Sequence, residues 1–221
     1  MKNIGDSFSF IFKDTNWATK VLIGAIFSFL SIFLIGIPVV YGYGVTVLQR
    51  VRRGEQNPVP EWKDVGVLFI KGIKYLVTLL IYYLPIMILS LPIIILIVFG
   101  LINGVTLLEL IEGSIIISIV FFFILLYTLF IVILTPLISI LFAERESILD
   151  GLQLGKIFSS FKCYWQDVLI LAALVIALDI LASLGFIFFL IGIFFTSFYV
   201  TLVRFHLYGQ IGRSIQERLT I

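Results

Sequence analysis

Gly36-Ile37-Pro38-Val39-Val40-Tyr41-Gly42-Tyr43-Gly44-Val45-Thr46-Val47-Leu48-Gln49-Arg50, running on into Val51-Arg52-Arg53-Gly54, is the stretch whose reading decides the topology. One continuous helix from Lys20 to Arg50 would be about 45 Å long against about 30 Å of hydrocarbon, and would have to tilt steeply. It would also put Lys2, Lys13 and Lys20 on the opposite side from Arg50, Arg52, Arg53 and Lys63, against the tendency of basic residues to stay on one side. Pro38 can open a helix but cannot donate within one. A turn at Gly36-Ile37-Pro38 therefore gives two short legs and gathers both basic clusters on one face. About 16 residues per leg is thin for a crossing. A re-entrant pair stays open beside a hairpin of two full spans.

Composition sets the solvent. Of 221 residues, 61% are hydrophobic and 13% charged, too little polar surface for a water-soluble globule of this size. Val21 to Gln49, Tyr75 to Leu108 and Gly113 to Ala143 contain no charged residue, and each run exceeds the roughly 20 residues that span a bilayer. None alternates polar and apolar as the strands of a membrane barrel do. The expected fold class is all-α, a polytopic transmembrane helical bundle of about six spans with two cytoplasmic interfacial helices, in one integral membrane domain over 1–221. Lys2, Asp6, Lys13 and Asp14 interrupt the first sixteen residues, which argues against a cleavable signal there. Cys163 is the sole cysteine, so neither an intramolecular disulfide nor a thiolate cluster can form. A net charge of +2 gives no basic footprint for nucleic acid.

Outward from the opening stretch, residues 1–16 place Ile4, Phe8, Ile11 and Phe12 on one helical face, the pattern of a helix lying among headgroups. Trp17 with Lys20 then marks a span entrance, as Trp62 with Lys71 and Trp165 with Lys162 do later. Spans are expected at about 18–35, 37–53, 67–101, 114–142, 166–184 and 187–209. Between them, Gly54 to Gly66 is a loop stopped by Asn57-Pro58 and Pro60. Pro85, Pro92 and Pro136 are candidate kinks. Residues 145–162 read as a second surface helix, and Ser183-Leu184-Gly185 as the corner that returns Arg204 to the side of Lys162. On this topology all fifteen Lys and Arg lie inside with ten of the thirteen acids, so that side carries 15 − 10 = +5, while Glu109 and Glu112 give the outer loop −2. The reading places the chain in the cell membrane with both termini cytoplasmic.

The two ends of the chain echo each other. Gly36-Ile37 leads to Tyr43, Val47 and Arg50, and Gly192-Ile193 leads to Tyr199, Val203 and His206 at the same spacings. Upstream, Phe10 and Trp17 match Phe158 and Trp165. Both copies start on one side, so they read as parallel repeats, an arrangement in which transporters place a site at the repeat interface.

Gly42-Tyr43 followed by Arg50 to Gly54 and Pro60-Glu61-Trp62-Lys63-Asp64, then Tyr164-Trp165-Gln166-Asp167, and finally His206-Leu207-Tyr208-Gly209-Gln210-Ile211-Gly212-Arg213, resemble the multi-pass family described as domain of unknown function 4013. The resemblance implies an integral membrane protein and brings no activity with it.

Asp179, within Ala177-Leu178-Asp179-Ile180-Leu181, is the one ionisable residue inside an apolar run, where a charge costs about 3 kcal/mol on insertion scales. It is the candidate intramembrane proton or cation site, against the alternatives of a place near the headgroups or a bond to Ser183. Arg50, Arg52, Arg53, Lys71, Lys74, Arg204 and His206 are candidate interfacial lipid contacts, with snorkelling as the plainer account of the long cations. His206, the only histidine, reads first as an interfacial side chain or a packing and hydrogen-bonding element of the closing motif, with a proton relay as the sharper alternative. No His-Glu-x-x-His, phosphate-cradling loop or nucleophile elbow occurs, so neither enzymatic activity nor a metal or cofactor is expected. A scaffold or accessory subunit holding membrane lipids, a membrane protein partner or a second copy is the first expectation. A small proton- or cation-coupled transporter or channel using Asp179 is the alternative.

Overall fold

The computed structural model describes residues 4–106, 109, 115–184 and 192–219, and among them every regular element is helical. In chain order these are α1 (Asp6–Ser9), running into a 3-10 turn (Phe10–Lys13), and α2 (Trp17–Leu30), running into a second (Ser31–Phe33). Then come α3 (Gly36–Arg52), α4 (Val65–Ile102), α5 (Ile115–Arg145), α6 (Ile148–Gly151), α7 (Leu154–Leu184) and α8 (Gly192–Leu219). The chain falls into two compact units, one of Met1–Thr78 with Leu134–Ile221 and the other of Leu79–Ile133.

In the first unit the chain reverses where the opening stretch predicts. Leu34 takes a left-handed conformation (φ 65°), and α3 returns along α2. Gly36 permits the tight return, because a Cβ there would lie 1.8 Å from the Phe27 carbonyl oxygen. Twelve of the seventeen residues of α3 are buried, including residues on every side of the helix, so it is enclosed by neighbours rather than packed on one face. That enclosure needs close backbone approach. A Cβ on Gly42 would sit 1.8 Å from the Leu68 carbonyl oxygen, and one on Gly72 would sit 1.7 Å from that of Pro38, so α3 and the start of α4 touch backbone to backbone. Against α8, Gly44 receives the Phe205 ring, and Gly209 receives Val51 and the Leu48 carbonyl.

The contacts between α3 and α8 climb together, Tyr43 with Phe198, Gly44 with Phe205, Val51 with Gly209 and Arg52 with Gly212. The two helices are therefore parallel, and their offset is close to that between Gly36 and Gly192. The second legs of the two echoing segments pack on each other as parallel repeats. By contrast α7 and α8 are antiparallel, with Ala182 opposite Thr196 and Asp179 opposite Arg204. The corner expected at Ser183-Leu184-Gly185 lies in part outside the described residues.

Three expectations are modified. The surface helix over 1–16 is one short α-helical turn and a 3-10 turn, and its buried residues are Ser7, Phe10 and Ile11, while Phe12 of the expected apolar face stays exposed. Hydrogen bonds to α8 select that face, since Tyr199 Oη donates to the Phe8 carbonyl at 2.7 Å and Ser7 reaches His206 at 2.8 Å. The second surface helix and the fifth span join in α7, interrupted at Tyr164 (φ −125°, ψ 23°), directly before Trp165. Finally, among the described residues three helices are long and apolar enough to cross a membrane, within 65–102, 117–145 and 154–183, or four if residues 4–13 and 17–33, bent by 102°, count as one. With 17 residues α3 is short, and α8 is diluted by Thr196, Ser197, Thr201, Arg204 and His206.

In the second unit α4 and α5 are joined by a hydrogen bond from Tyr127 Oη to the Tyr82 carbonyl at 3.1 Å, and large apolar side chains such as Met87, Ile95, Phe121 and Phe123 are exposed. In water such a surface would aggregate; in lipid it is the solvated face. Pro85 and Pro92 lie inside α4, and Pro136 lies inside α5 in the first unit.

Replacing Gly42 or Gly72 with Ala is expected to destabilise the fold by about 3 kcal/mol, because the clash is with backbone that cannot rotate away. Gly66→Ala, where a Cβ meets nothing within 4 Å, should be neutral or stabilising by up to about 1 kcal/mol. Thermal unfolding of the purified variants in detergent reads the contrast.

Candidate functional site

Two charged networks of the first unit lie at the end where α2 and α4 start and α3 and α5 finish. Lys20, one turn into α2, has its side chain only 4% exposed, and it donates to Asp14 Oδ2 at 2.7 Å, Glu61 Oε1 at 2.7 Å and the Val59 carbonyl at 3.3 Å. Asp14 is equally enclosed and also accepts from Asn57 Nδ2 at 2.7 Å and from the backbone N–H of Asn16 at 2.8 Å. Burial pushes the Asp14 carboxyl up, but the hydrogen bonds from Lys20, Asn57 and Asn16 outweigh it and hold the group below the usual carboxylate range. The loop that carries Asn57, Val59 and Glu61 is stitched to the helices twice more. Tyr43 Oη donates to the Pro60 carbonyl at 2.7 Å, and Trp62 Nε1 to the Lys20 carbonyl at 3.0 Å. The Trp62 ring stacks on Tyr43 and Phe27, with centroids 4.2 and 5.2 Å apart.

Alongside lies a second network. Buried Lys71 donates to Gln49 Oε1 at 2.9 Å and Thr46 Oγ1 at 3.1 Å and pairs with Glu146 at 2.9 Å, while Gln49 Nε2 donates to the Ala143 carbonyl at 2.9 Å. Partial burial raises the affinity of Glu146 for its proton, but Lys71 and Gln49 more than reverse this, and its carboxyl lies below the usual range. Arg52 bridges Glu144 at 2.8 Å and Gln216 at 3.2 Å, and Arg50 reaches Glu55 at 3.6 Å and the Val59 carbonyl at 3.3 Å. His206 is buried, bonded through Nδ1 to Ser7 Oγ at 2.8 Å and stacked on Phe10 at 4.1 Å between centroids.

Away from this end, Asp179 of α7 and Arg204 of α8 form an ion pair. Phe205, the next residue, packs on Gly44, the midpoint of α3, so the pair lies halfway along the central helix. The Arg204 guanidinium is largely buried, within electrostatic range of Tyr41, Tyr75 and Tyr208, and its Nε has no hydrogen-bond partner among the described residues. Asp179 is 57% exposed on the outer face of α7.

The structure thus redistributes the sequence-derived candidates. Asp179 and Arg204 come together, Arg50, Arg52, Lys71 and His206 turn to partners within the protein, and Arg53 and Lys74 are left exposed at the rim. The sequence reading gave Asp14, Gln49, Asn57 and Glu146 no place among the site residues, and took Lys20 for an interface marker. Among the described residues no group of three or more His, Cys, Asp or Glu is placed to hold a metal.

An all-helical fold with three helices apolar enough to span a membrane among the described residues, and with many of its charges paired, defines a class rather than an activity. Residues 25–191 match the family model described as "Protein of unknown function (DUF4013)", and the chain belongs to that family. No curated protein and no solved structure matches it.

Removing one partner from the enclosed pair leaves the other charge buried and alone, so Asp14→Ala or Lys20→Ala is expected to cost about 3 kcal/mol or more. Glu61→Gln, at a half-exposed position, should cost less than about 1 kcal/mol. Folded carboxyls held below their unfolded values stabilise above the unfolded pKa and lose that contribution as pH falls through the folded one. Stability in detergent should therefore fall below about pH 4, the unfolded carboxylate range, and the fall should be shallower in Asp14→Asn. Unfolding followed by circular dichroism against pH measures both effects.

Proposed function

We propose that this chain is a non-enzymatic integral membrane protein of the cell membrane, a scaffold or accessory subunit that holds lipid or a membrane partner, which includes a second copy of itself. One observation carries the reading: the ionisable side chains that could line a path or perform chemistry are engaged with each other, while the long helices offer apolar faces outward. Arg53 and Lys74 supply an exposed basic rim suited to anionic headgroups, and the positive-inside rule assigns that rim and both termini to the cytoplasm. Nucleic acid has no footprint on such a surface, and no cofactor is invoked.

The alternative, a small proton- or cation-coupled transporter, draws support from the Asp179–Arg204 pair halfway along α3 and from the parallel repeats. Against it, the Asp179 carboxylate is already engaged by the adjacent Arg204 guanidinium.

Reconstituted into liposomes, neither the wild-type protein nor Asp179→Asn should carry proton or monovalent-cation flux above that of lipid alone. Flux in the wild type that disappears in Asp179→Asn would establish the transporter reading and remove the scaffold one.

A further inference from the structure

The corner between α2 and α3 holds a feature that the charged end does not explain. Ile32, Phe33, Leu34 and Ile35 are 63%, 62%, 73% and 62% exposed, four consecutive large apolar residues at a chain reversal. A reversal in water uses Gly, Asn or Asp, above all at a left-handed position. Here that position is Leu34. The one polar side chain at the corner, Ser31, turns back and donates to the Phe27 carbonyl at 3.0 Å, and the Leu34 N–H bonds to the Ser31 carbonyl at 3.0 Å. Pro38, in the first turn of α3, has no N–H to leave unpaired. The corner asks little of water.

The legs are also too short to cross. Fourteen residues of α2 with the three of the 3-10 turn after it reach about 27 Å and seventeen of α3 about 25 Å, and each leg spends one turn among charges, α2 its first beside Lys20 and α3 its last beside Arg50 and Arg52. About 30 Å of hydrocarbon has to be bridged, and neither leg bridges it. By contrast the far end of α4 closes in polar residues, Asn103 and Gly104, followed by Thr106, whose N–H donates to Glu109 at 2.8 Å.

We infer that α2 and α3 form a re-entrant hairpin, which enters and leaves the bilayer on the side of the Gly54–Gly66 loop and buries the Ile32–Ile35 tip among the acyl chains, short of the far headgroups. The inference rests on the reading of the chain as an integral membrane protein, and chooses between the two topologies that the sequence leaves open at Gly36-Ile37-Pro38.

Single cysteines in a Cys163→Ala background test it, at Gln56 in the loop, at Asn103 at the end of α4, and at Phe33 and Leu34 in the tip. Sealed vesicles are treated with a membrane-impermeant maleimide from either side. Gln56→Cys and Asn103→Cys should react from opposite sides, while Phe33→Cys and Leu34→Cys react from neither, about ten-fold or more slowly than Gln56→Cys, because hydrocarbon excludes water and the reagent dissolved in it. Both tip thiols should become reactive once detergent replaces the bilayer. Reaction of either tip cysteine from the side that labels Asn103→Cys would show a complete crossing and overturn the inference while leaving the membrane reading intact. Equal reaction of all four cysteines from one side of the sealed vesicles would overturn both, because no segment would then be shielded by hydrocarbon.

Discussion

Backbone contact between helices is the constraint on which the first unit depends. With Gly42 against the Leu68 carbonyl and Gly72 against that of Pro38, α3 and α4 approach as closely as two helices can. Lipid tails are as apolar as leucine, so apolar surface area alone gives helices little reason to associate in a bilayer; dispersion between closely fitted surfaces does. The glycines create that fit, and α3 can then be enclosed by α2, α4 and α8. Everything polar follows from the enclosure. Tyr43, Gln49 and Arg50 project from a buried helix and must find partners, which they do in the loop after α3, in Lys71 and in the carbonyl of Ala143.

Charge distribution and helix packing therefore solve one problem from two directions. At the end where α3 finishes, Lys20, Arg52 and Lys71 are tied to Asp14, Glu61, Glu144 and Glu146, while Arg53 and Lys74 stay exposed. The enclosed Asp14–Lys20 pair adds little net stability against an apolar substitute of the same shape, yet it penalises any arrangement that separates the N-terminal segment from the loop. Asp179 and Arg204 repeat the logic halfway along α3, where one charge alone would be costly and two of opposite sign offset each other.

Much of this was legible in the residues. The reversal at Gly36 followed from where Lys20 and Arg50 to Arg53 lie, because the cost of moving cations across a bilayer is a property of sequence. The helical character followed from the length of the uncharged runs, and the family from the motifs around Gly42, Pro60 and Trp165. What depended on tertiary partners was not legible. The N-terminal segment shows an apolar face of Ile4, Phe8, Ile11 and Phe12, yet Ser7 and Phe10 are buried alongside Ile11 because His206, some two hundred positions away, bonds the one and stacks on the other. Arg204 looked like a rim cation because nothing in its neighbourhood reveals that α7 brings Asp179 alongside. Lys20 sat beside Trp17 in the pattern of an interface pair, and only the folded chain brings it to Asp14 of the N-terminal segment and Glu61 of the loop.

The parallel packing of α3 on α8 has a consequence of its own. Like lying beside like, in nearly equal register, is the arrangement two identical hairpins adopt about a rotation axis, here made within one polypeptide by a covalent tether. Identical subunits must mutate together, whereas tethered halves are free to diverge. Gly44 can remain small while its counterpart Val200 does not, and Arg50 can keep a guanidinium where the other half carries the imidazole of His206.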